Sequence, residues 1–488
     1  MTKKIVVVGA GFAGLSSAAY LAKAGMDVTV VEKNNTLGGR ARKFEAEGFT
    51  FDMGPSWYWM PDTFERFFNQ FGKKVTDYYN LVRLDPSYRI FFEQEQEDIP
   101  AEWGELIALF ERWEKGSGQH LDKFMEEAAY KYEVGVGKMV HKPGRHLSEL
   151  MDGELIKGVL KLHVFTSFSK YIRKYFKDPR ILQLLEFPVL FLGAMPQETP
   201  ALYSLMNYAD MKLGTWYPMN GMHEIVKAMA DVASSQGAKF VYPYEVKSFT
   251  FQGNQLTGVT DGKKPLKADV VINAGDYHHL DGLLPEKYRN YTEKYWQKRT
   301  MAPSSLLYYV GVNKKIGGIK HHNLFFDTPF GPHAQEIYKD PKWPENPLFY
   351  LCAPSITDPS VAPEGCENLF FLIPVAPGME DTEEIRERYF DMILARLEQR
   401  TGQNIKDHIV YKRAFAHNDF VKDYHAFKGN AYGLANTLRQ TANLKPSLYN
   451  KNIQNLFYTG QLTVPGPGVP PSIISGEVVA KEVLKSLY

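Results

Sequence analysis

Gly9, Gly11 and Gly14 stand at G-x-G-x-x-G spacing near the start of the chain. Glycines at these places let the backbone N–H groups of a helix start approach a diphosphate with no Cβ in the way, and the third lets that helix pack closely on a strand. Glu32 follows Gly14 by eighteen residues, the separation at which a carboxylate accepts from a ribose hydroxyl. The chemistry implied is dinucleotide binding. The glycine pattern alone is often only a tight turn, so the flanking residues have to decide.

Directly after Glu32 comes Leu37-Gly38-Gly39-Arg40-Ala41-Arg42. Gly38 and Gly39 let a second backbone segment reach the diphosphate, and Arg40 supplies a cation with planar donors. Seen alone, the segment would read as a surface turn with a solvated arginine. Its place between Glu32 and Phe51-Asp52-Met53-Gly54-Pro55-Ser56 favours FAD over NAD. At the far end, Gly460 and Pro465-Gly466-Pro467-Gly468-Val469-Pro470-Pro471 feed a terminal helix. Proline is tolerated at a helix start, and the positive end of that helix suits the pyrimidine edge of a flavin, where charge collects on reduction.

Other chemistries lack their residues. There is no G-x-S-x-G, no H-E-x-x-H and no Cys/His nucleophile spacing. His278-His279 and His321-His322 are adjacent pairs, which in a strand point to opposite faces, so they are expected as surface or turn histidines and no metal site is assigned. Cys352 and Cys366 are the only cysteines and form no C-x-x-C, which leaves out a disulfide framework and a structural zinc site and fits a reducing cytoplasm. Lys and Arg number 57 against 56 Asp and Glu, a net charge of +1, so no field recruits nucleic acid. No catalytic side chain is singled out.

These residues must be held by particular elements. Ile5-Val6-Val7-Val8 reads as a buried parallel strand, Leu15, Ala18, Ala19 and Ala22 as a helix closed near Gly25, and Val28 to Val31 as a second strand ending at Glu32. That is a βαβ unit. From about 60 to 235 the pattern turns to long aromatic, mixed-charge segments expected to be helical inserted material. Met222 to Ser235 reads as a helix, Lys239 to Val241 and Val246 to Phe251 as strands, and Ala268 to Gly275 as a buried strand closed by a turn. Leu306 to Val312 and Leu369 to Val375 suggest an antiparallel sheet between 300 and 420, Leu456 to Gly460 a last strand, and Ser472 to Leu487 a terminal helix. The expected fold is α/β, a discontinuous Rossmann-like FAD-binding domain (1–80, 236–300, 421–488) with an inserted α+β substrate domain (81–235, 301–420).

Taken together with Thr199-Pro200-Ala201-Leu202-Tyr203 and Trp216-Tyr217-Pro218-Met219-Asn220-Gly221-Met222, the sequence resembles the bacterial-type phytoene desaturase family of FAD-dependent carotenoid desaturases, within the flavin amine-oxidase-like superfamily. The match spans nearly the whole chain. It departs at Asn220, where the family commonly has glycine, and at Gln461 to Val464, where it has small residues. The resemblance implies that Gly9, Gly11, Gly14, Glu32, Gly39 and Arg40 hold the ADP half of FAD, that Val246 meets adenine through its backbone, and that Gly460 and Val469 lie by the flavin. It implies hydride transfer from an apolar carotenoid, phytoene first, with a hydroxylated carotenoid 3,4-desaturase, a carotenoid isomerase, an amine oxidase and a non-enzymatic prenyl-binding escort as alternatives. Oxygen or a quinone would be the electron acceptor.

Such a substrate has to be collected from a membrane. Phe187 to Met195 is too short to span a bilayer, and no signal peptide is visible at the start, so a peripheral place on the cytoplasmic membrane surface is expected. Residues 155 to 177 carry Lys157, Lys161, Lys170, Arg173, Lys174 and Lys177 among aromatic and aliphatic residues with no acid, which suits an anionic headgroup layer as well as an ordinary helix with a solvated basic face. Trp57, Tyr58, Trp59, Met60 and the 187–195 segment are expected either to wall an apolar pocket or to serve as plain core.

Overall fold

In the computed structural model, residues 2–144, 162–190, 193–437, 440–441 and 444–487 are described. The run Ile5 to Val8 is apolar on both faces because the strand Lys4–Val8 lies at the centre of a five-stranded parallel sheet. Across that sheet the order is Leu456–Tyr458, Val270–Asn273, Lys4–Val8, Asp27–Val31, Lys239–Val241. Ile5 pairs with Val270 on one side and Val28 on the other. The helix Phe12–Lys23 packs its alanine-rich surface against two further helices, His223–Ser235 and Val469–Leu487. Gly25, at φ +82°, ends the first of them as a left-handed residue. The terminal helix starts at Val469, three residues before the expected Ser472, since Pro470 and Pro471 sit in its first turn, where no N–H is needed.

A second, mixed sheet has seven strands in the order Ile409–Phe415, Ser304–Val312, Glu367–Val375, Phe349–Cys352, His322–Phe326, Tyr88–Phe92, Gln96–Ile99. Its longest strands, Ser304–Val312 and Glu367–Val375, form an antiparallel pair in which Tyr308 lies opposite Phe371. Strand alternation divides it into two faces. Leu306, Tyr308 and Val310 pack under the helix Glu383–Thr401, while Leu307, Tyr309, Leu324, Tyr350 and Leu372 face a large aromatic core shared with the helices Trp103–Trp113, Ser117–Gly137 and Pro179–Leu190.

One expectation changes. The stretch 60–235 is not uniformly helical: the short strands Tyr88–Phe92 and Gln96–Ile99 form a hairpin, and the first runs parallel to His322–Phe326. Five residues or fewer with charges between them carry too weak a period to be seen alone. The helix His223–Ser235 buries Ile225, Val226, Met229 and Val232 in the core of the parallel sheet. Among the described residues no helix is long and apolar enough to cross a membrane.

Candidate functional site

Where the strands Lys4–Val8 and Asp27–Val31 end, the chain is folded back by close backbone contacts. Gly9 has φ +105° and donates from its N–H to Val31 O at 2.8 Å. A Cβ on Gly14 would stand 1.9 Å from Gly9 O, so the helix could not approach the turn with any larger residue. Gly38, at φ +115°, donates to Ala10 O at 2.9 Å and brings the second glycine pair beside the first.

Glu32 sits at the end of its strand with both oxygens engaged by the local chain. Oε2 accepts from the Ala10 N–H at 2.9 Å, and Oε1 accepts from the Asn34 N–H at 2.9 Å and from Asn34 Nδ2 at 3.0 Å. A carboxylate can accept from further donors, so ribose hydroxyls can still donate to it. Arg40 is half-buried and donates from Nη2 to Asn430 O at 3.3 Å, its Cζ lies 5.1 Å from the Tyr424 ring centre, and its enclosed Nε has no partner among the described residues. Burial pushes its pKa down, while Tyr424 and Asp276 push it up. A half-buried guanidinium stays charged, so a donor left unpaired here is a place for a diphosphate oxygen.

One cavity of about 810 Å³ joins these groups to an apolar chamber. Gly9, Gly11, Glu32, Gly39, Arg40, Val246, Gly460 and Val469 all line it; Gly14 does not, because its part is the packing of helix on turn. Gly460, at φ +104°, donates from its N–H to Ser475 Oγ at 3.0 Å. The acids of the lining gather at the dinucleotide end. Glu32 and Asp423 both accept from or adjoin Asn34, Glu245 pairs with His425 at 2.9 Å, and Asp276 faces Arg40. The opposite part is walled by Trp57, Trp59, Met60, Leu205 and Met206, all belonging to or packed on the aromatic core.

Several site residues escape the sequence. Tyr424 under Arg40, Asp276, and His279, which stacks on His425 at 3.7 Å, come from turns and short helices with no motif of their own. Burial holds the His279 imidazole down at about 4. Gly476 is the exception that a reader could find, a glycine inside the last helix: a Cβ there would lie 2.4 Å from Ala13 O. Histidine placement needs correction. His279 lines the cavity, and His321 and His322 are buried, not on the surface. Tyr58 does not wall the cavity with its neighbours; it stacks on Phe64 at 4.2 Å in the other core. Phe187 lies one layer behind the wall, 6.0 Å from the Trp57 ring, and residues 191–192 of its segment are outside the described residues, as are 155–161 of the basic segment.

The family model for flavin containing amine oxidoreductases matches residues 12–484. The chain belongs to this family. Within it, the carotenoid 3,4-desaturase of Haloarcula japonica is 41% identical over 487 residues, covering 99% of this chain and 98% of that protein. The zeta-carotene-forming phytoene desaturase of Myxococcus xanthus is 29% identical, covering 99% and 94%. Among solved structures, an oxidoreductase from Methanosarcina mazei superposes with a TM-score of 0.65 at 17% identity, covering 98% and 100%, and putrescine oxidase bound to putrescine with 0.62 at 13%, covering 99% and 99%. These last two share the fold. The chain is thus an FAD-dependent oxidoreductase of the carotenoid desaturase group, and the glycine cradle with the unpaired Arg40 donor fits that cofactor. The family departure at Asn220 is conservative in conformation: Asn220 has φ +71°, a left-handed position that asparagine tolerates next best to glycine. Gln461 lines the cavity and donates from Nε2 to Asn430 Oδ1 at 3.3 Å.

Proposed function

We propose that this flavoprotein removes hydrogen from a hydroxylated or otherwise late carotenoid at its 3,4-position, ahead of phytoene as substrate. The observation that carries it is the single cavity in which a diphosphate cradle opens onto an apolar aromatic chamber, read with the 41% identity to a carotenoid 3,4-desaturase. Phytoene, the first choice from sequence, is the second reading, supported by the phytoene desaturase at 29%.

Gly9, Gly11, Gly39 and Arg40 would hold the diphosphate, Glu32 the ribose, Val246 the adenine, and Gly460 and Val469 the flavin end. Bound there, FAD supplies the hydride acceptor for desaturation. The protein's own part is to align the polyene and exclude water, which the Trp57, Trp59 and Met60 wall does by contact alone. With the lining acids gathered around Arg40 and Glu32, no carboxylate is assigned to the reacting carbons, and hydroxyls such as those of Tyr350 and Ser305 are the polar groups on the strands beside them.

The unit around the parallel sheet would begin at about residue 222, so as to include the helix His223–Ser235, with the seven-stranded sheet and the helical layer as the substrate side. Peripheral attachment to the cytoplasmic membrane would deliver the substrate and give access to a quinone, with oxygen as the other acceptor. Expression in a carotenoid-free host, fed either phytoene or a hydroxylated acyclic carotenoid, tests the assignment. Loss of a hydrogen pair from the second substrate is expected; conversion of phytoene alone favours the second reading. A change of absorption with no change of mass would mean isomerisation, and peroxide release with simple amines alone would mean amine oxidation.

A further inference from the structure

Three buried side chains have no part in holding the cofactor. His321, His322 and Cys352 are 4%, 0% and 4% exposed, and one ring nitrogen of each histidine and the cysteine sulfur all lie within 4.8 Å of one another. Register brings them together. His322 lies directly opposite Cys352 in the antiparallel pair of strands, and His321, just before the strand, accepts at its carbonyl from the Ala353 N–H at 2.7 Å. Because His321 precedes the strand, the alternation that would separate adjacent histidines does not apply.

The ring nitrogens are arranged alike. Nδ1 of His321 is 2.8 Å from Thr357 Oγ1, and Nδ1 of His322 is 2.6 Å from the Tyr350 hydroxyl. Both Nε2 atoms are buried with no partner among the described residues. A hydroxyl accepting from Nδ1–H fixes the neutral tautomer whose Nε2 carries a lone pair, the usual state of a metal-ligating histidine with its outer partner. A buried acceptor left unpaired is costly, and among the described residues this cluster leaves two.

The geometry points to a zinc site with His321, His322 and Cys352 as its ligands. A thiolate and two imidazoles are the donor set that selects zinc over magnesium or calcium. Zn–N bonds near 2.0 Å and Zn–S near 2.3 Å put ligand atoms roughly 3.5 Å apart, so the cluster needs to close by about an ångström. Binding releases the Cys352 thiol proton to solvent and leaves one net positive charge, which the carboxylates of Asp358, near His321, and Asp52, near Cys352, are placed to offset. A small cavity of about 20 Å³ touching Cys352, Asp52 and Tyr217 has room for about one water as a fourth ligand. The ion would brace the cavity wall from behind: Trp57 stacks on His322 at 4.1 Å, and the Tyr350 hydroxyl also donates to Ser56 Oγ at 3.0 Å.

The test uses FAD-loaded, full-length protein purified without a histidine tag from zinc-supplemented medium. Elemental analysis is expected to give about one zinc per chain, falling at least about tenfold in a His322→Gln/Cys352→Ser variant that keeps its flavin absorbance. Should that variant not fold, zinc-edge X-ray absorption of the wild type decides alone, with one sulfur and two imidazole nitrogens expected. Under about one-tenth equivalent of zinc in folded wild type after incubation with Zn²⁺, copper in its place, zinc retained by the folded variant, or an edge spectrum without sulfur would each overturn the site.

Discussion

At Arg40 the energetics turn on a half-buried cation that the protein alone leaves short of partners. Among the described residues its Nε donor has no partner, and its hydrogen bond to Asn430 O is 3.3 Å long. Completing that set with a diphosphate exchanges a cost for a gain. Arg40→Ala should therefore lose about 2 kcal/mol of binding, typical of a hydrogen bond to a charged group, or roughly thirtyfold in FAD affinity, measured by fluorescence titration of the apoprotein; Arg40→Lys should recover only part of it, since a point charge replaces the planar fork. His279 sets a pH dependence. Burial, then His425 and Lys33, hold it at about 4 in the folded chain against 6.5 for the free side chain. Its folded pKa is depressed, so its contribution to stability is complete above pH 6.5 and is lost as the pH falls toward 4. His333, also held at about 4 by burial, acts with the same sign. His279→Gln should flatten the fall in melting temperature between pH 7 and pH 4.5, about the window set by these pKa values; an unchanged slope would remove His279 from the account.

Helix-on-helix packing carries the site at the next level up. The helices Phe12–Lys23 and Val469–Leu487 approach until Gly476 meets Ala13 O and Ser16, so that a Cβ would stand 2.4 Å and 2.6 Å away. Neither backbone can yield cheaply, and Gly476→Ala should cost about 1–3 kcal/mol, with a lower melting temperature and weaker retention of FAD, because the displaced first helix carries Gly11. Gly137→Ala, at a helical position with open space around it, should be neutral or gain up to about 1 kcal/mol. The βαβ unit was legible because period, glycine spacing and Glu32 all point the same way within thirty-odd residues. The same holds for Gly460 and Val469, where proline and glycine mark the helix entrance. The hairpin of Tyr88–Phe92 and Gln96–Ile99 was not, because a strand buried by pairing with Asn323 to Phe326, far along the chain, need show no alternation of its own. Tyr424, Asp276 and His279 were hidden for a like reason: they reach the cavity through tertiary folding from segments with no local signature.

For the whole molecule, the question is how an apolar substrate enters a cavity of which the dinucleotide cradle closes one end. Leu162, Val164 and Phe165 line it at the other side, and Phe165 is 87% exposed. A phenyl ring in water beside an apolar opening costs free energy that a lipid interface would return. Next to it, Phe168, Tyr171, Ile172 and Phe176 turn inward while Lys170, Arg173, Lys174 and Lys177 stay in solvent. The aromatic residues of this segment are therefore mostly core, and Lys170, Lys174 and Lys177 extend into solvent where they can meet headgroups, while Arg173 is tied to Glu186. Inserting the ring should contribute about 1.5–3 kcal/mol, and each cation near an anionic surface about 1 kcal/mol. Phe165→Ser should thus weaken binding to phosphatidylglycerol vesicles by roughly tenfold or more in a flotation assay while flavin content is unchanged, and salt should weaken the wild type further by screening the lysines. Equal binding of variant and wild type would remove Phe165 from any part in membrane binding.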